Sequence, residues 1–446
     1  MISRIAERGI AAARCDPLRT GASGGRLFAT IPRNCLGRFQ FVNRAIVSAS
    51  PRAPTGPDSL PGMEIVLQLL AMQGDTFIVI GSGIAGASAA YELAKLGPVI
   101  ILERESQPGY HTTGRSAAVF SEIYGNATIR AVTVGSRSFF ASPPEGFADH
   151  PLWAPRRMAM VARGDQIERL RHAYHEWVQL VPSIQLIEGD DARHATPMLK
   201  PNYVAGAVIE TEANDLDVNE IHRGFLRGAA RSGAKLVCNA EVASFNYDQA
   251  GWRVQTKAGE FAGRIVINAA GAWGDEIARL AGARPVGLTP KRRTAVLFDP
   301  IPAEDVRSWP TVIDADEQFY FKPDAGRLLG SPADETESAP CDAQPEEIDV
   351  AIAVDRIEQA ANFHVERVFR KWAGLRSFVA DKSPVVGFDP KLPGFFWLVG
   401  QGGYGIQTSP AIGRITAALA SGADIPDDLK RLGVAAEDLS PARITH

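Results

Sequence analysis

An α/β protein built on a largely parallel sheet is predicted, and three observations predict it. A short apolar, β-branched run, Thr76-Phe-Ile-Val-Ile80, opens directly onto Gly81-Ser-Gly83-Ile-Ala-Gly86. A second apolar run, Val99-Ile-Ile-Leu102, ends in Glu103, about 20 residues after the first glycine. A third, Ile265-Val-Ile-Asn-Ala-Ala-Gly-Ala-Trp273, comes much later and also ends in small residues. Continuous apolar runs of this length, bounded by turn residues, read as strands buried on both faces. Together they describe a Rossmann-like, dinucleotide-binding unit.

Each part of that unit has a physical job. Gly81 permits a tight turn, Gly83 lets backbone approach a pyrophosphate, and Gly86 lets helix and strand pack closely. An Ala-rich helix is expected from Ala85 to Leu96, closed by Gly97-Pro98. Its N-terminus, at Ile84 and Ala85, offers N–H groups and a positive dipole end to a pyrophosphate. Glu103 is placed to accept hydrogen bonds from ribose hydroxyls, and its charge would repel the 2′-phosphate of NADP. The third run reads as a later strand of the same sheet, with the turn Ala269, Ala270, Gly271 passing close to the dinucleotide and Trp273 beyond it. Near the end of the chain, Gly400-Gln-Gly-Gly403-Tyr404-Gly405-Ile406-Gln407-Thr408 leads into a helix read over Ser409 to Leu419. Such a helix start can set its dipole against a flavin pyrimidine ring as negative charge develops there. That return favours FAD over NAD.

The composition bounds the rest. The 446 residues suit two domains plus extra segments, and 45% hydrophobic with 22% charged residues is ordinary for a packed globular protein. A net charge of -4 gives no reason to expect nucleic acid or an anionic membrane as partner. Cys15, Cys35, Cys238 and Cys341 form no CxxC pair, which fits reduced thiols in the cytoplasm better than a disulfide framework. His172 and His175 lie in an amphipathic stretch, 165–181, that reads as a surface helix, and no metal site is assigned. No apolar run reaches the roughly 18 to 20 residues of a spanning helix.

Residues 1–71 differ in character from the rest of the chain. Over 1–62 there are nine Arg, no Lys and only Glu7, Asp16 and Asp58 as acids. Three readings stand: a transit-type targeting segment, a flexible tail that cannot bury enough apolar surface to fold, or upstream sequence ahead of a true start at Met63 or Met72, the last preferred.

Longer segments carry a family resemblance. They are Leu102-Glu-Arg104-Glu, Gln107-Pro-Gly-Tyr-His-Thr-Thr-Gly114-Arg115-Ser116-Ala117-Ala118, Pro290-Lys-Arg-Arg293, Phe319-Tyr320-Phe-Lys-Pro-Asp-Ala-Gly326, Leu329-Gly-Ser-Pro332, Trp372-Ala-Gly-Leu-Arg376-Ser-Phe378 and Gln401–Ser409. On these the chain resembles the glycine oxidase/D-amino-acid oxidase family of flavoproteins from Met72 onward, and within it the bacterial D-arginine dehydrogenases. The resemblance implies a Rossmann-like FAD domain interleaved with a mixed-sheet substrate domain. It implies FAD-domain pieces at 72–150, 213–285 and 372–425, substrate-domain pieces at 151–212 and 286–371, and a tail at 426–446. Non-covalent FAD is implied, with Arg104, Gly114, Arg115, Ser116, Ala117 and Val242 joining the residues above as cofactor contacts. So is oxidative deamination of a D-amino acid to a 2-oxo acid and ammonia, by hydride transfer from Cα to flavin N5.

An enzyme of this kind must fix a carboxylate, and a planar guanidinium does so with two parallel hydrogen bonds. Arg376, in an otherwise apolar stretch, reads alone as an arginine paired with a structural acid. The resemblance makes it the carboxylate binder instead, with Arg293 second and Tyr124 and Tyr320 as substrate contacts. No residue is assigned as general base. The carboxylate that would hold a substrate guanidinium aligns with Met158, in Pro155-Arg-Arg-Met-Ala-Met160, and a family histidine near the flavin is replaced by Val119. The pocket is therefore expected to favour neutral, apolar side chains over D-arginine. Two alternatives share the fold: a sarcosine- or glycine-type oxidase, and a 2-hydroxy acid dehydrogenase, for which Arg156 or Arg157 could supply an extra cation. A quinone or another carrier is expected as electron acceptor ahead of oxygen.

Overall fold

The computed structural model describes residues 76–444. The three readings of the segment before Met72 lie outside them. The first strand, Phe77–Ile80, is central in a six-stranded sheet ordered Val385–Phe388, Phe395–Val399, Ile265–Asn268, Phe77–Ile80, Val99–Leu102, Lys235–Val237. All neighbours are parallel except the edge pair Val385–Phe388 and Phe395–Val399. The third apolar run thus lies directly beside the first, Phe77 opposite Ile265 and Ile80 opposite Asn268. All four residues of Phe77–Ile80 are buried, as a run without polar alternation requires.

The first helix runs Ile84–Leu93, ending three residues before the expected Leu96, where the chain tightens into a turn. The last long helix, Gly405–Ala420, begins four residues earlier than expected. Pro410 therefore lies inside it rather than near its start. The carbonyl that Pro410 cannot serve, that of Ile406, accepts instead from Ser409 Oγ at 2.8 Å, so the helix passes through the proline without an orphaned group.

A second, nine-stranded mixed sheet carries Met158–Ala162, Gly206–Glu210, Thr289–Phe298, Thr311–Asp314, Tyr320–Asp324 and Arg327–Ser331 among its strands. Its longest pairing is antiparallel, Thr289–Phe298 with Val368–Phe378. Residues 372–378, the start of the 372–425 piece grouped by sequence with the nucleotide-binding part, are thus the second half of a strand of this other sheet, while Val385–Phe388 and Phe395–Val399 lie in the first. Pairing with Thr289–Phe298 decides that, and no local pattern reveals it. The stretch after 425, read as a tail, is packed: Leu429, Val434 and Leu439 are buried, and Arg443 pairs with Asp381. Their apolar side chains close the same core that holds Ile412 and Ile415 of the last helix. Among the described residues no helix is long and apolar enough to cross a membrane, and no group of three metal-ligating side chains occurs.

Two glycines set the entry geometry. Gly81 has φ +99°, and a Cβ there would stand 2.5 Å from the Ala269 carbonyl oxygen. At Gly86 a Cβ would stand 1.9 Å from the carbonyl oxygen of Gly81. Neither neighbour is a side chain that can swing away. Gly86→Ala should therefore cost at least the roughly 1–3 kcal/mol of an overpacked core, read as a lowered Tm together with reduced FAD content on purification; a fully loaded variant with the parent Tm would contradict this packing.

Candidate active site

A single cleft runs from the glycine turn of the first sheet to the face of the second. At one end it is lined by Gly81, Gly83, Ile84, Ala85, Glu103, Arg104 and Val242, and along its length by Arg115, Ser116, Ala117, Ala270, Gly271 and Trp273. Gly403, Gly405, Ile406 and Gln407 line it from the start of the last helix. Four residues expected to touch a cofactor do not line it. Gly86 is spent on the helix–turn contact, and Gly114 lies against the Gly109 carbonyl, where a Cβ would come within 2.7 Å. Thr408 is buried, its hydroxyl bonded to the Tyr404 carbonyl at 2.9 Å. Tyr404 stands behind the wall, its ring edge-on to Tyr124 at 5.0 Å between centroids.

The cleft suits a dinucleotide. Two helices begin at its wall, after Gly83 and Tyr404, neither of which caps its helix through a side chain. Thr113 Oγ1 accepts from the Ile84 N–H at 2.9 Å, and the other first-turn N–H groups and the two positive dipole ends lie at the wall. Glu103, buried at the end of its strand, is held by Ser82 N–H at 2.9 Å and Ser82 Oγ at 2.5 Å. Its other oxygen accepts from Glu105 N–H at 2.9 Å. His222, absent from the sequence reading, donates from Nε2 to the Ser82 carbonyl at 2.7 Å from behind the turn, and burial pushes its pKa down toward the neutral form. Arg115 does more than line the wall. It bonds the carbonyls of Ala343 and Ala373 at 2.8 and 3.2 Å and pairs with Asp342, tying the loop at 340–343 to the cleft.

The opposite end brings Tyr124, Arg293, Tyr320 and Arg376 together with Val119 and Met158. Arg376 Nη1 lies 3.3 Å from Tyr124 Oη. The guanidinium also lies against Gly403, where a Cβ would come within 2.7 Å of Nη1, so that glycine makes room for the arginine. Among the described residues no acid lies within ion-pair distance of Arg376. Arg293 differs. Its Nε donates to the Asp334 carbonyl at 2.8 Å, and Nη2 lies 3.6 Å from Glu335. Burial opposes the charge of Glu335, but Lys291 at 3.0 Å, with Lys382 and Arg293, keeps its pKa below the ordinary range. Arg293 is thus already matched by a carboxylate.

Arg156 and Arg157 do not line the cleft. Arg156 pairs with Asp215 at 2.6 Å and donates to the carbonyls of Arg307 and Trp309, while Arg157 turns out toward the Ser308 carbonyl at 3.4 Å. These two precede the strand Met158–Ala162, which begins with Met158 at the cleft. A further cation that does reach the cleft, missed by the sequence reading, is Lys322, and its Nζ is held by Asp215 at 2.6 Å. A signal existed: Lys322 is two residues from Tyr320 on one strand, and period-two alternation puts both on one face.

The residues 76–419 match the family model described as FAD dependent oxidoreductase, DAO. The chain belongs to the DAO family of FAD-dependent oxidoreductases. FAD is its cofactor. It is 24% identical over 374 residues to an uncharacterized oxidoreductase, YurR, of Bacillus subtilis, covering 79% of this chain and 97% of the relative. It is 25% identical over 273 residues to human mitochondrial dimethylglycine dehydrogenase, covering 58% of this chain but only 30% of that longer protein. In three dimensions it is similar to L-proline dehydrogenase from P. horikoshii, with a TM-score of 0.70, 22% identity, and 83% and 97% of the two chains covered.

Asp215 is the hinge of the cationic wall, shared by Lys322 and Arg156. Asp215→Asn should leave the buried Lys322 without a counter-charge and cost about 3 kcal/mol or more. A chemical-denaturation midpoint equal to that of the unaltered protein would show the pair to be dispensable.

Proposed function

We propose that this protein oxidises the Cα–N bond of an amino acid, with D-amino acids bearing neutral, apolar side chains as the preferred class. The observation that carries the reading is Arg376: a guanidinium deep in the protein, open to the cleft, with Tyr124 as its one side-chain hydrogen-bond partner among the described residues. Arg376 is half-buried, and a partly desolvated charge without an ionic partner is costly; a substrate carboxylate bound by two parallel hydrogen bonds would relieve that cost. Tyr124 orients the guanidinium, and Tyr320 lines the same end. Met158 and Val119 supply an apolar wall where a cationic side chain would need an acid. FAD, when bound, supplies the acceptor for the hydride that leaves Cα. Water then hydrolyses the imino acid to a 2-oxo acid and ammonia.

A second reading keeps the chemistry and changes the amine. Dimethylglycine and proline, named in two of the similar proteins, carry substituted nitrogens, so a sarcosine-type secondary or tertiary amine fits the same carboxylate anchor. A 2-hydroxy acid with a second carboxylate fits less well. Arg156 and Arg157 lie outside the cleft, and Lys322 and Arg293 already have acids of their own.

Anaerobic mixing with D-leucine, D-arginine and sarcosine, followed by flavin absorbance, separates these readings. D-Leucine should bleach the flavin with a kcat/KM about 10- to 100-fold above that of D-arginine, the worth of one charged hydrogen bond. Faster bleaching by sarcosine than by any D-amino acid would transfer the assignment to the secondary amine. Arg376→Ala should lower kcat/KM for the best substrate by roughly two orders of magnitude or more, and an unchanged value would remove the carboxylate-binding role.

A further inference from the structure

We infer that Glu210, acting through the Ser121 hydroxyl, holds the proton that the substrate ammonium must lose before its Cα–H can leave as hydride. The inference rests on the amine-oxidation reading above and names a part of that site which the sequence left without a base.

Glu210 closes the strand Gly206–Glu210, directly across the sheet from Met158. Its side chain is fully buried. One carboxylate oxygen accepts from Ser121 Oγ at 2.7 Å, the other from Glu122 N–H at 2.7 Å. Among the described residues no Lys, Arg or His lies within ion-pair distance of it. Ser121 lines the cleft beside Tyr124 and Met158. Its backbone N–H lies 3.3 Å from Gln407 Oε1, in the first turn of the last helix, so the serine is pinned between the sheet and the helix that faces the cofactor.

The neighbouring charges decide how readily Glu210 ionises. Burial raises its pKa most, and the Ser121 and Glu122 hydrogen bonds only partly offset this, leaving it at about 7. Glu122 opposes ionisation, while Arg137 favours it from a distance. Arg137 is itself committed, to both oxygens of Glu122 at 2.7 and 2.6 Å and to Glu212 at 3.0 Å. The Met158 side chain, across the strand, brings no charge. An acid kept near neutrality next to a reaction cleft suits proton transfer at physiological pH.

The other candidates at this end are engaged or of the wrong sign. Arg376, Arg293 and Lys322 are cations, Tyr124 is bonded to Arg376, and Asp215 is matched by two cations. In the step itself, an N–H proton of the bound ammonium passes to Ser121 Oγ as the Ser121 hydroxyl proton passes to Glu210 Oε2. The substrate becomes a neutral amine and Glu210 a neutral acid, with no electrons moved. The freed nitrogen lone pair then forms the C=N bond as the hydride departs.

The test is the pH dependence of anaerobic flavin bleaching in the full-length, FAD-loaded protein and in Glu210→Gln, Glu210→Asp and Ser121→Ala. Because the accepting form is the carboxylate, kcat/KM of the unaltered protein should rise with pH through about 7 and fall below it. In Glu210→Gln that rise should move up to the pH at which the substrate's own amine deprotonates, with roughly tenfold or greater loss at pH 6.5. Glu210→Asp should restore part of the lower limb. Flavin content and the binding of a 2-oxo acid, read by the flavin absorbance shift, should stay as in the parent, since no ammonium is involved. A Glu210→Gln profile that superimposes on the parent overturns the inference while leaving the amino-acid reading intact. Should that variant lose its flavin, Ser121→Ala carries the same expectation, and an unshifted profile there overturns it equally. A parent protein bleached by no amine at any pH would instead overturn the amine-oxidation reading itself.

Discussion

The close crossing of two helices far apart in sequence is what makes one cleft out of two glycine-rich turns. Gly413 of the last helix lies against the backbone of Ser88 in the first, where a Cβ would come within 2.7 Å of the Ser88 carbonyl oxygen. With a side chain at that point the helices would stand apart, and their starts at Ile84 and Gly405 would not line a common cleft. Gly228, packed on the Tyr91 ring, closes the other flank of the first helix in the same manner. The first helix is thus held between two others by small residues. Its apolar content is high all round rather than striped, as suits a helix buried on most sides.

Most of the cations around the cleft are matched by acids. Lys322 and Arg156 share Asp215, Arg293 meets Glu335, and Arg115 is tied to Asp342 and two carbonyls. Arg376 and Glu210 stand apart from this pattern, one a cation without an acid and the other an acid without a cation. Glu210 is fully buried and Arg376 half-buried at the cleft wall; they have opposite sign, and no ion pair joins them. On the proposed reading, an amino acid would bring a carboxylate to the first and a proton to the second. Those two unmatched charges would then stand at the two points where such a substrate carries its own.

Much of the nucleotide end was legible because its signals are local. A strand, a glycine turn, a helix and a closing acid are consecutive, and each residue type is demanded by sterics or by the helix terminus within a few residues of it. The same locality limits what those signals can show. Gly86, expected to let helix and strand pack closely, does so against the Gly81 carbonyl, while Gly114, implied as a cofactor contact, packs on the Gly109 carbonyl. Ser409 looked like a helix start, yet its hydroxyl serves the Ile406 carbonyl and lets the helix run through Pro410. Leu429, Val434 and Leu439 were passed over because they are spaced too irregularly for a periodic signal, although each is buried.

By itself, then, the sequence determined the dinucleotide-binding unit, the identity of its turn glycines and acid, and the apolar character of Met158 and Val119. Resemblance, not periodicity, singled out Arg376. Tertiary structure alone decided which charges are already spoken for. Arg293, Arg156 and Arg157 are indistinguishable from Arg376 as residue types, and only the positions of Glu335, Asp215 and the Ser308 carbonyl separate them. Glu210 came to lie behind Ser121 through strand register, Met158 opposite Glu210, between segments some fifty residues apart. A hydrogen bond or ion pair depends on distances of a few ångströms, and across such a separation those are fixed by the packing of sheets and helices rather than by any pattern along the chain.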